Sequence, residues 1–129
     1  RPAMKIIKEA NSLDRVCIAS FSSKRLKLVG NLYPEVCLSM GPKEIIKLFF
    51  ASFGLYKKKI PGDCLQIPIY QYGIKLATKR FVKYVQGIGL KIHVWTINDE
   101  DTMQKLIDLG VDGIITDRPK ALKDLLSNR

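Results

Sequence analysis

The sequence predicts an α/β fold with parallel strands, and three observations lead to this prediction. Short apolar runs rich in β-branched residues alternate with amphipathic segments along the chain. The strand-like runs are almost wholly apolar, as is typical of parallel strands that helices cover. Residues that start and stop helices separate the runs. The five predicted strands are residues 16–21, 36–39, 65–69, 91–97 and 113–116.

The helix predictions depend on end signals and on apolar periodicity. Asn98, followed by three acidic residues that favour a helix amino terminus, predicts a helix that Gly110 ends. Thr78 similarly precedes an apolar pattern of helical spacing. Pro119 suits the first turn of a last helix, and residues 4–10 predict a helix before the first strand. Such helices supply the crossovers that parallel strands need.

Composition bounds the class of protein and its partners. With 129 residues, 47% of them hydrophobic, the chain is long enough for one domain, residues 1–129. No apolar run approaches the roughly 20 residues that span a bilayer, and the first residues lack a signal-peptide pattern. The net charge of +10 favours an anionic partner, although the lysines are scattered and only Lys57, Lys58 and Lys59 cluster. Because no recognition-helix or base-stacking pattern accompanies them, we expect no nucleic-acid partner.

The chain has three cysteines, Cys17, Cys37 and Cys64. Their number is odd, their spacing is wide, and each lies in a strand-like run. This pattern suits buried, reduced thiols better than disulfides or zinc ligands. We therefore expect a reducing, cytoplasmic location, with association to a membrane surface as a further expectation.

Two architectures agree with five β/α units. The units could wind into an open sheet with helices on both faces, as in flavodoxin-like folds. They could instead be five-eighths of a (β/α)₈ TIM barrel, which needs about 250 residues to close. The open sheet would be a complete protein, whereas the barrel interpretation implies an incomplete one.

An apolar insertion at about residues 41–62 interrupts the regular alternation. Its many Ile, Leu and Phe residues are more than one helix face requires, and lysines lie at its edges. Such a segment could lie in a membrane interface or cover a lipid-binding pocket. It could equally be an ordinary helix and loop buried against the rest of the fold.

A longer motif indicates a family. The segment GLKIHVWTINDEDTMQKLIDLGVDGIITDRPKAL closely resembles the C-terminal signature of the glycerophosphodiester phosphodiesterase family. There, a strand ending in Trp-Thr-(Val/Ile)-Asn precedes a helix and then Gly-Val-Asp-Gly-Ile-Ile-Thr-Asp-x-Pro. The segments IASF and LQIPI are similar to two earlier strands of that family. The resemblance thus includes four of the five predicted strands.

The resemblance implies the (β/α)₈ barrel, with these strands as the C-terminal five β/α units of an incomplete barrel. It also implies metal-assisted hydrolysis of glycerophosphodiesters to an alcohol and glycerol 3-phosphate, with Ca²⁺ or Mg²⁺ as the divalent cation. The apolar insertion is similar in placement to one in membrane-associated members that act on lysophospholipids. A glycerophosphodiester or a lysophospholipid is therefore the implied substrate.

The implied catalytic groups do not occur in this sequence. The family's His-Arg-Gly, Glu-x-Asp, His-Asp and Glu-x-Lys motifs belong to its N-terminal half, and none is present. The only histidine, His93, would share a strand face with Trp95, so we interpret it as a packed or pocket-wall residue. We therefore expect neither catalytic residues nor metal ligands in this chain, and no activity from it alone.

The implied substrate-binding residues lie at strand ends, where barrel enzymes form their pockets. By the resemblance, Trp95 is an apolar wall against the alcohol or glycerol moiety. Phe21 is a second wall residue and Gln66 a polar contact. We expect Asn98 and Asp117 to cap the following helices rather than touch substrate.

Two interpretations without catalysis remain. An open sheet could be an anion-binding module, but the SFSSKR segment after the first strand lacks the glycines of a phosphate loop. A half-barrel could instead be an assembly module, in which exposed strand edges pair with the missing half or with a second copy. Association in solution would distinguish these two alternatives.

Overall fold

The computed structural model describes residues 2–54, 60 and 62–128, and there helices and strands alternate as the sequence predicts. The six α-helices of this part are α1 Pro2–Glu9, α2 Ser23–Leu32, α3 Pro42–Ala51, α4 Lys79–Gly87, α5 Glu100–Leu109 and α6 Pro119–Ser127, and a short 3-10 helix covers Leu13–Arg15. The seven strands are β1 Cys17–Ile18, β2 Cys37–Leu38, β3 Cys64–Ile67, β4 Tyr70–Gln71, β5 Ile74–Lys75, β6 Lys91–Val94 and β7 Gly113–Ile114. All five predicted strands are present, though each is shorter than expected.

The main strands are parallel and follow one another in chain order. β1 pairs with β2, and β3, β6 and β7 pair in that sequence. A parallel bridge between Ser39 and Cys64 joins the two groups, supported by a bond from Met40 N to the Cys64 carbonyl at 2.8 Å. A doubly wound sheet reverses its strand order at a switch point, whereas a barrel does not. The observed order is that of a barrel.

One face of this sheet carries the hydrophobic core. Its central side chains are fully buried against α3, α4, α5 and α6, because parallel strands need helices to cover their apolar residues. The largest fully buried side chains are Phe81, Leu65, Ile67, Leu76, Ile92, Met103, Val82, Val85 and Val94. The alternate residues of β3 and β6, Gln66 and His93, lie on the opposite face and are only half-buried.

The helix ends follow their predicted signals closely. The Thr78 hydroxyl accepts a hydrogen bond from Phe81 N at 3.2 Å and caps α4, and Pro119 begins α6, both as predicted. Gly110 ends α5 in the left-handed conformation, with φ at 88°. The amino-terminal cap of α5 is Asp99, one residue after the predicted Asn98.

A short hairpin is the main departure from the five-strand prediction. β4 and β5 pair antiparallel between β3 and α4, so they lie outside the parallel series. Tyr72 and Gly73 form the two-residue turn, with φ values of 50° and 75°. Both central residues of such a turn need positive φ, which explains the glycine. The turn lacks the Asn or Asp that usually marks a two-residue hairpin in a sequence. The hairpin was therefore not predicted.

The apolar insertion at about 41–62 is partly an ordinary core helix. Ile45, Leu48 and Ala51 of α3 are buried, while Phe50 and Phe53 remain exposed. Residues 55–59 and 61, including the lysine cluster, lie outside the described residues. None of the helices in the described ranges is long and apolar enough to cross a bilayer.

Candidate functional site

A cavity of about 180 Å³ opens at the carboxyl ends of the parallel strands. Loops after β1, β2, β3 and β6 line it, which is where parallel α/β folds form their binding sites. The lining residues are Ala19, Ser20, Phe21, Ser39, Met40, Pro42, Ile45, Gln66, Pro68, Gln71 and Trp95. Trp95, Phe21 and Gln66, the three substrate-binding residues implied by the sequence, therefore lie at one cavity.

Trp95 is the fixed element of this cavity. Its backbone N–H continues the ladder to the Ile67 carbonyl at 2.9 Å, just beyond β6. Its indole Nε1 donates to the Gln66 carbonyl at 3.0 Å. These two bonds hold the ring on the face of the sheet that the helices leave uncovered.

Phe21 contributes a second aromatic wall. Its ring meets the indole of Trp95 edge to face, with centroids 6.4 Å apart and planes at 80°. The Phe21 side chain is 84% exposed, so this contact leaves most of its surface open to solvent or to a ligand. An exposed phenyl ring and a half-buried indole beside a half-buried amide can hold a ligand that has both apolar and polar parts.

Several lining residues were not predicted from the sequence. Ser39 is a buried polar residue, and it stands at the end of the second predicted strand, where the strand-end rule could have identified it. Gln71 lies in the hairpin that periodicity did not reveal. Pro42 and Ile45 belong to α3, so the first turns of that helix form part of the wall.

A larger cavity of about 600 Å³ lies between α2 and α3. Its lining includes Lys24, Lys27 and Glu44 but not Trp95, Phe21 or Gln66. It shares Ser39 with the smaller cavity, but none of its described lining residues is aromatic. The smaller cavity is therefore the candidate substrate site.

The candidate cavity does not offer a site for Ca²⁺ or Mg²⁺. These hard cations need several oxygen ligands, usually with at least one carboxylate. No Asp, Glu or His is among the described residues that line the cavity. The residues present therefore do not fit the divalent cation that the family resemblance implies.

Asn98 and Asp117 do not cap helices, contrary to expectation. The Asn98 side-chain oxygen accepts from Asp117 N at 2.9 Å and from the Thr116 hydroxyl at 3.1 Å, and its amide donates to Asp117 Oδ2 at 3.2 Å. The pair thereby connects the loop after β6 to the loop after β7. Asp99 and Arg118 occupy the cap positions instead.

His93 is half-buried and packs against Gly113, which agrees with the first of its two interpretations, a packed residue; it is not among the described residues that line the candidate cavity. It pairs with Gly113 across β6 and β7. A Cβ atom at Gly113 would lie 2.7 Å from His93 Cδ2, so the glycine of the GVDGII motif leaves room for the imidazole. The glycine therefore has a packing role in this motif.

The three cysteines are less buried than expected and lie together. Cys17 is exposed and Cys37 half-buried, and only Cys64 is buried, because the helices do not cover this face. Burial, the largest cause, raises the pKa of the Cys17 and Cys37 thiols from 9.0 to about 11. Burial likewise raises the pKa of Cys64. All three are therefore protonated thiols at neutral pH.

A parallel β/α array in barrel order, with an aromatic cavity at the carboxyl ends of its strands, defines a protein of the β/α-barrel class. Comparison with known proteins makes the assignment specific. The sequence profile of the glycerophosphoryl diester phosphodiesterase family matches residues 3–121, so the chain belongs to that family. The resemblance of the Trp-containing segment is thereby confirmed.

Individual relatives agree with this assignment. A probable glycerophosphodiester phosphodiesterase 2 of Mycobacterium tuberculosis is 30% identical over 99% of this chain and 51% of its own length. Lysophospholipase D GDPD1 of Mus musculus is 36% identical over 41% of this chain and 17% of its own length. A solved glycerophosphodiester phosphodiesterase from Parabacteroides distasonis superposes with a TM-score of 0.74 at 25% identity, over 100% of this chain and 50% of that structure. The chain therefore spans about half the length of the Mycobacterium tuberculosis relative and about half of the Parabacteroides distasonis structure.

Proposed function

We propose that this chain forms the substrate wall of a phosphodiesterase that hydrolyses glycerophosphodiesters to an alcohol and a glycerol 3-phosphate-type product. The observation that carries the proposal is that Trp95, Phe21 and Gln66 line one cavity at the carboxyl ends of the strands. Family membership supports the reaction class, and the position of the cavity supports the binding role.

The proposal includes an incomplete barrel. Within the described ranges, β1 pairs only with β2 and β7 only with β6, so the array has two open edges. A closed (β/α)₈ barrel has no edges. Three further strands would close the array, and they would supply the acid, the base and the Ca²⁺ or Mg²⁺ ligands that the cavity lacks. The chain alone would then bind substrate without hydrolysing it.

A lysophospholipid is the substrate class that the cavity favours over a water-soluble diester. Aromatic and aliphatic side chains form most of the lining, and an acyl chain would bury more of that surface than a choline headgroup alone. The mouse relative carries the name lysophospholipase D, which agrees with this preference. Exposed Phe50 and Phe53 are candidates for contact with the membrane surface from which such a substrate would come.

Binding can be measured directly because Trp95 is the only tryptophan of the chain. Titration with glycerophosphocholine and with lysophosphatidylcholine, both below micelle concentration, should change its fluorescence. Phe21→Ala should weaken binding about tenfold by removing one aromatic wall. Leu32→Ala removes an exposed apolar side chain of α2 that does not line the cavity and is the control. Equal affinity for both ligands would contradict the acyl preference, and unchanged fluorescence would contradict the binding role.

Catalysis is tested by completing the barrel. A chimaera should join this chain to the part of the Mycobacterium tuberculosis relative that the chain does not match. We expect hydrolysis of glycerophosphodiester by the chimaera in the presence of Ca²⁺ or Mg²⁺, and none by the chain alone. Activity of the isolated chain, or an inactive but folded chimaera, would contradict the proposal.

The open edges also favour a second candidate, an assembly module. Unpaired backbone donors and acceptors at β1 and β7 can pair with another chain or a second copy. The alternative of an independent open-sheet anion-binding module is less favoured, because the strand order has no switch point at which such a sheet would bind its ligand.

A further inference from the structure

The three cysteines occupy equivalent places in three neighbouring strands. Cys17, Cys37 and Cys64 are each the first residue of their strand, β1, β2 and β3. Cys17 and Cys37 are register partners, and Cys64 is bridged to Ser39, two residues beyond Cys37. All three therefore lie at the amino ends of the strands. The candidate substrate cavity lies at the opposite, carboxyl ends.

The sulfur atoms are close enough to share one ion. All three lie within 4.8 Å of one another, and the Cys17 and Cys64 sulfurs are 3.3 Å apart. Two thiolates bound at about 2.3 Å to one tetrahedral ion are about 3.8 Å apart. The observed spacing needs shifts of less than about 1 Å to reach that geometry, which side-chain rotation at exposed Cys17 can supply.

A disulfide between Cys17 and Cys64 fits less well. β2 lies between β1 and β3, so these two cysteines are not on adjacent strands, and their sulfurs are 3.3 Å apart, well beyond the S–S bond length of about 2.05 Å. Cys17 and Cys37, as register partners, are near enough for a disulfide, so an oxidised Cys17–Cys37 pair is the alternative to a metal site.

We propose that Cys17, Cys37 and Cys64 form a binding site for one soft cation, Zn²⁺ or Cu⁺, at the amino ends of β1, β2 and β3. Thiolate ligands select these ions over Mg²⁺ and Ca²⁺. Among the described residues this is the only group of three or more His, Cys, Asp or Glu side chains placed to hold an ion. None of the three cysteines lines the proposed substrate cavity, although Ser39 lies beside Cys64 and also lines that cavity. The metal site does not depend on the proposed activity.

Neighbouring groups support this arrangement. Ser39 is the bridge partner of Cys64, so its hydroxyl lies beside that residue and can act as an outer polar group of the kind that metal sites commonly have. The Asp63 carboxylate accepts a bond from Leu38 N at 2.8 Å, so it is already engaged with the backbone. Three sulfurs leave a fourth position for water on Zn²⁺, or complete a trigonal site for Cu⁺.

Binding would connect strands whose mutual contacts are few. β1 and β2 pair over two residues, and β2 meets β3 through a single bridge. Each thiol that binds releases its proton to solvent, so one cation and three thiols give one complex and three protons. The cation would then hold three strands together at their amino ends and stabilise the folded chain by linkage.

The test uses the full chain, reduced and freed of metal. Zn²⁺ and Cu⁺ are each titrated in competition with a coloured chelator, and Co²⁺ is added as a spectroscopic probe. We expect one ion per chain, Co²⁺ bands typical of tetrahedral thiolate ligation, and a higher melting temperature with Zn²⁺. Cys17→Ser should remove the thiolate bands and weaken Zn²⁺ binding more than about tenfold. Because Cys17 is exposed, this variant should fold without metal.

Two controls make the result decisive. His93→Gln removes the only histidine and should leave Zn²⁺ binding unchanged. Cys37→Ser should act like Cys17→Ser, because both sulfurs are ligands. Binding that survives Cys17→Ser, or the lack of binding at micromolar Zn²⁺ and Cu⁺, would overturn the proposal. So would a Cys17–Cys37 disulfide, seen as a loss of two hydrogens by mass, that forms under mild oxidation even when Zn²⁺ is present.

Discussion

The indole Nε1 of Trp95 donates a hydrogen bond to the main-chain carbonyl of Gln66 over 3.0 Å, across β3 and β6. The bond therefore joins the side chain of Trp95 to the backbone of Gln66, and both residues line the candidate cavity. The orientation of the Trp95 ring, and with it the shape of the wall, therefore depends on the β3–β6 register.

Two replacements of Trp95 distinguish the contribution of its hydrogen bond to stability from that of its packing. Trp95→Phe keeps an aromatic ring but loses the bond to Gln66, so the free energy of unfolding should fall by about 1 kcal/mol. Trp95→Ala also loses the edge contact with Phe21 and should cost about 2 to 3 kcal/mol, less than for a fully buried ring. Urea denaturation followed by circular dichroism measures both. Equal stability of Trp95→Phe and the unaltered chain would show that the bond contributes nothing.

Gly113 should tolerate a side chain only when His93 is made smaller. Gly113→Ala places a Cβ 2.7 Å from His93 Cδ2 and should destabilise the chain by about 1 to 3 kcal/mol. In a His93→Ala background the same substitution should be nearly neutral, because the three nearest atoms all belong to the imidazole. A double-mutant cycle measures this coupling. If Gly113→Ala lowers stability equally in both backgrounds, the clash is not with His93.

Asp99 should make stability depend on acid pH. Hydrogen bonds from the Thr102 hydroxyl and then the Thr102 backbone N–H hold the Asp99 pKa below its ordinary value of 3.8. A lowered folded-state pKa means that the stabilisation is complete above 3.8 and is lost as pH falls through the folded value. Asp99→Asn should therefore lower the melting temperature at neutral pH and converge with the unaltered chain in acid.

A matched control for Asp99 lies in the same helical turn. Asp101→Asn removes a carboxylate from the start of α5 but leaves the Asp99 cap, so its effect should be smaller. Thermal unfolding followed by circular dichroism across the acid range compares the variants. If the difference in melting temperature between Asp99→Asn and the unaltered chain stays constant with pH, the role of the Asp99 charge is contradicted.

The open edges should make the isolated chain associate. Gel filtration at rising concentration should show species larger than 14.6 kDa. Ile115→Lys places a charge directly after edge strand β7, at a residue that is 39% exposed, and should shift the chain toward monomer. Leu126→Lys, at a comparably exposed residue of α6, should not. A monomer at all concentrations would contradict the assembly role.

The sequence by itself determined the local features of this protein. Thr78, Gly110 and Pro119 marked helix ends correctly, because capping bonds and backbone preferences involve residues within about four positions. The same locality explains the error at Asn98, whose side-chain partners in the next loop lie 18 and 19 residues away. Strand positions also followed from local apolar runs, whereas the hairpin turn at Tyr72 lacked a strong local signal.

Only the tertiary structure decided which distant side chains meet. Strand order and register place the sulfurs of Cys17 and Cys64, 47 residues apart in the chain, 3.3 Å from each other. They also bring Phe21, Gln66 and Trp95 to one cavity. A period of two predicts which residues of a strand share a face, but not which strand lies beside it. Long-range pairing of the strands supplies that information, and both proposed sites depend on it.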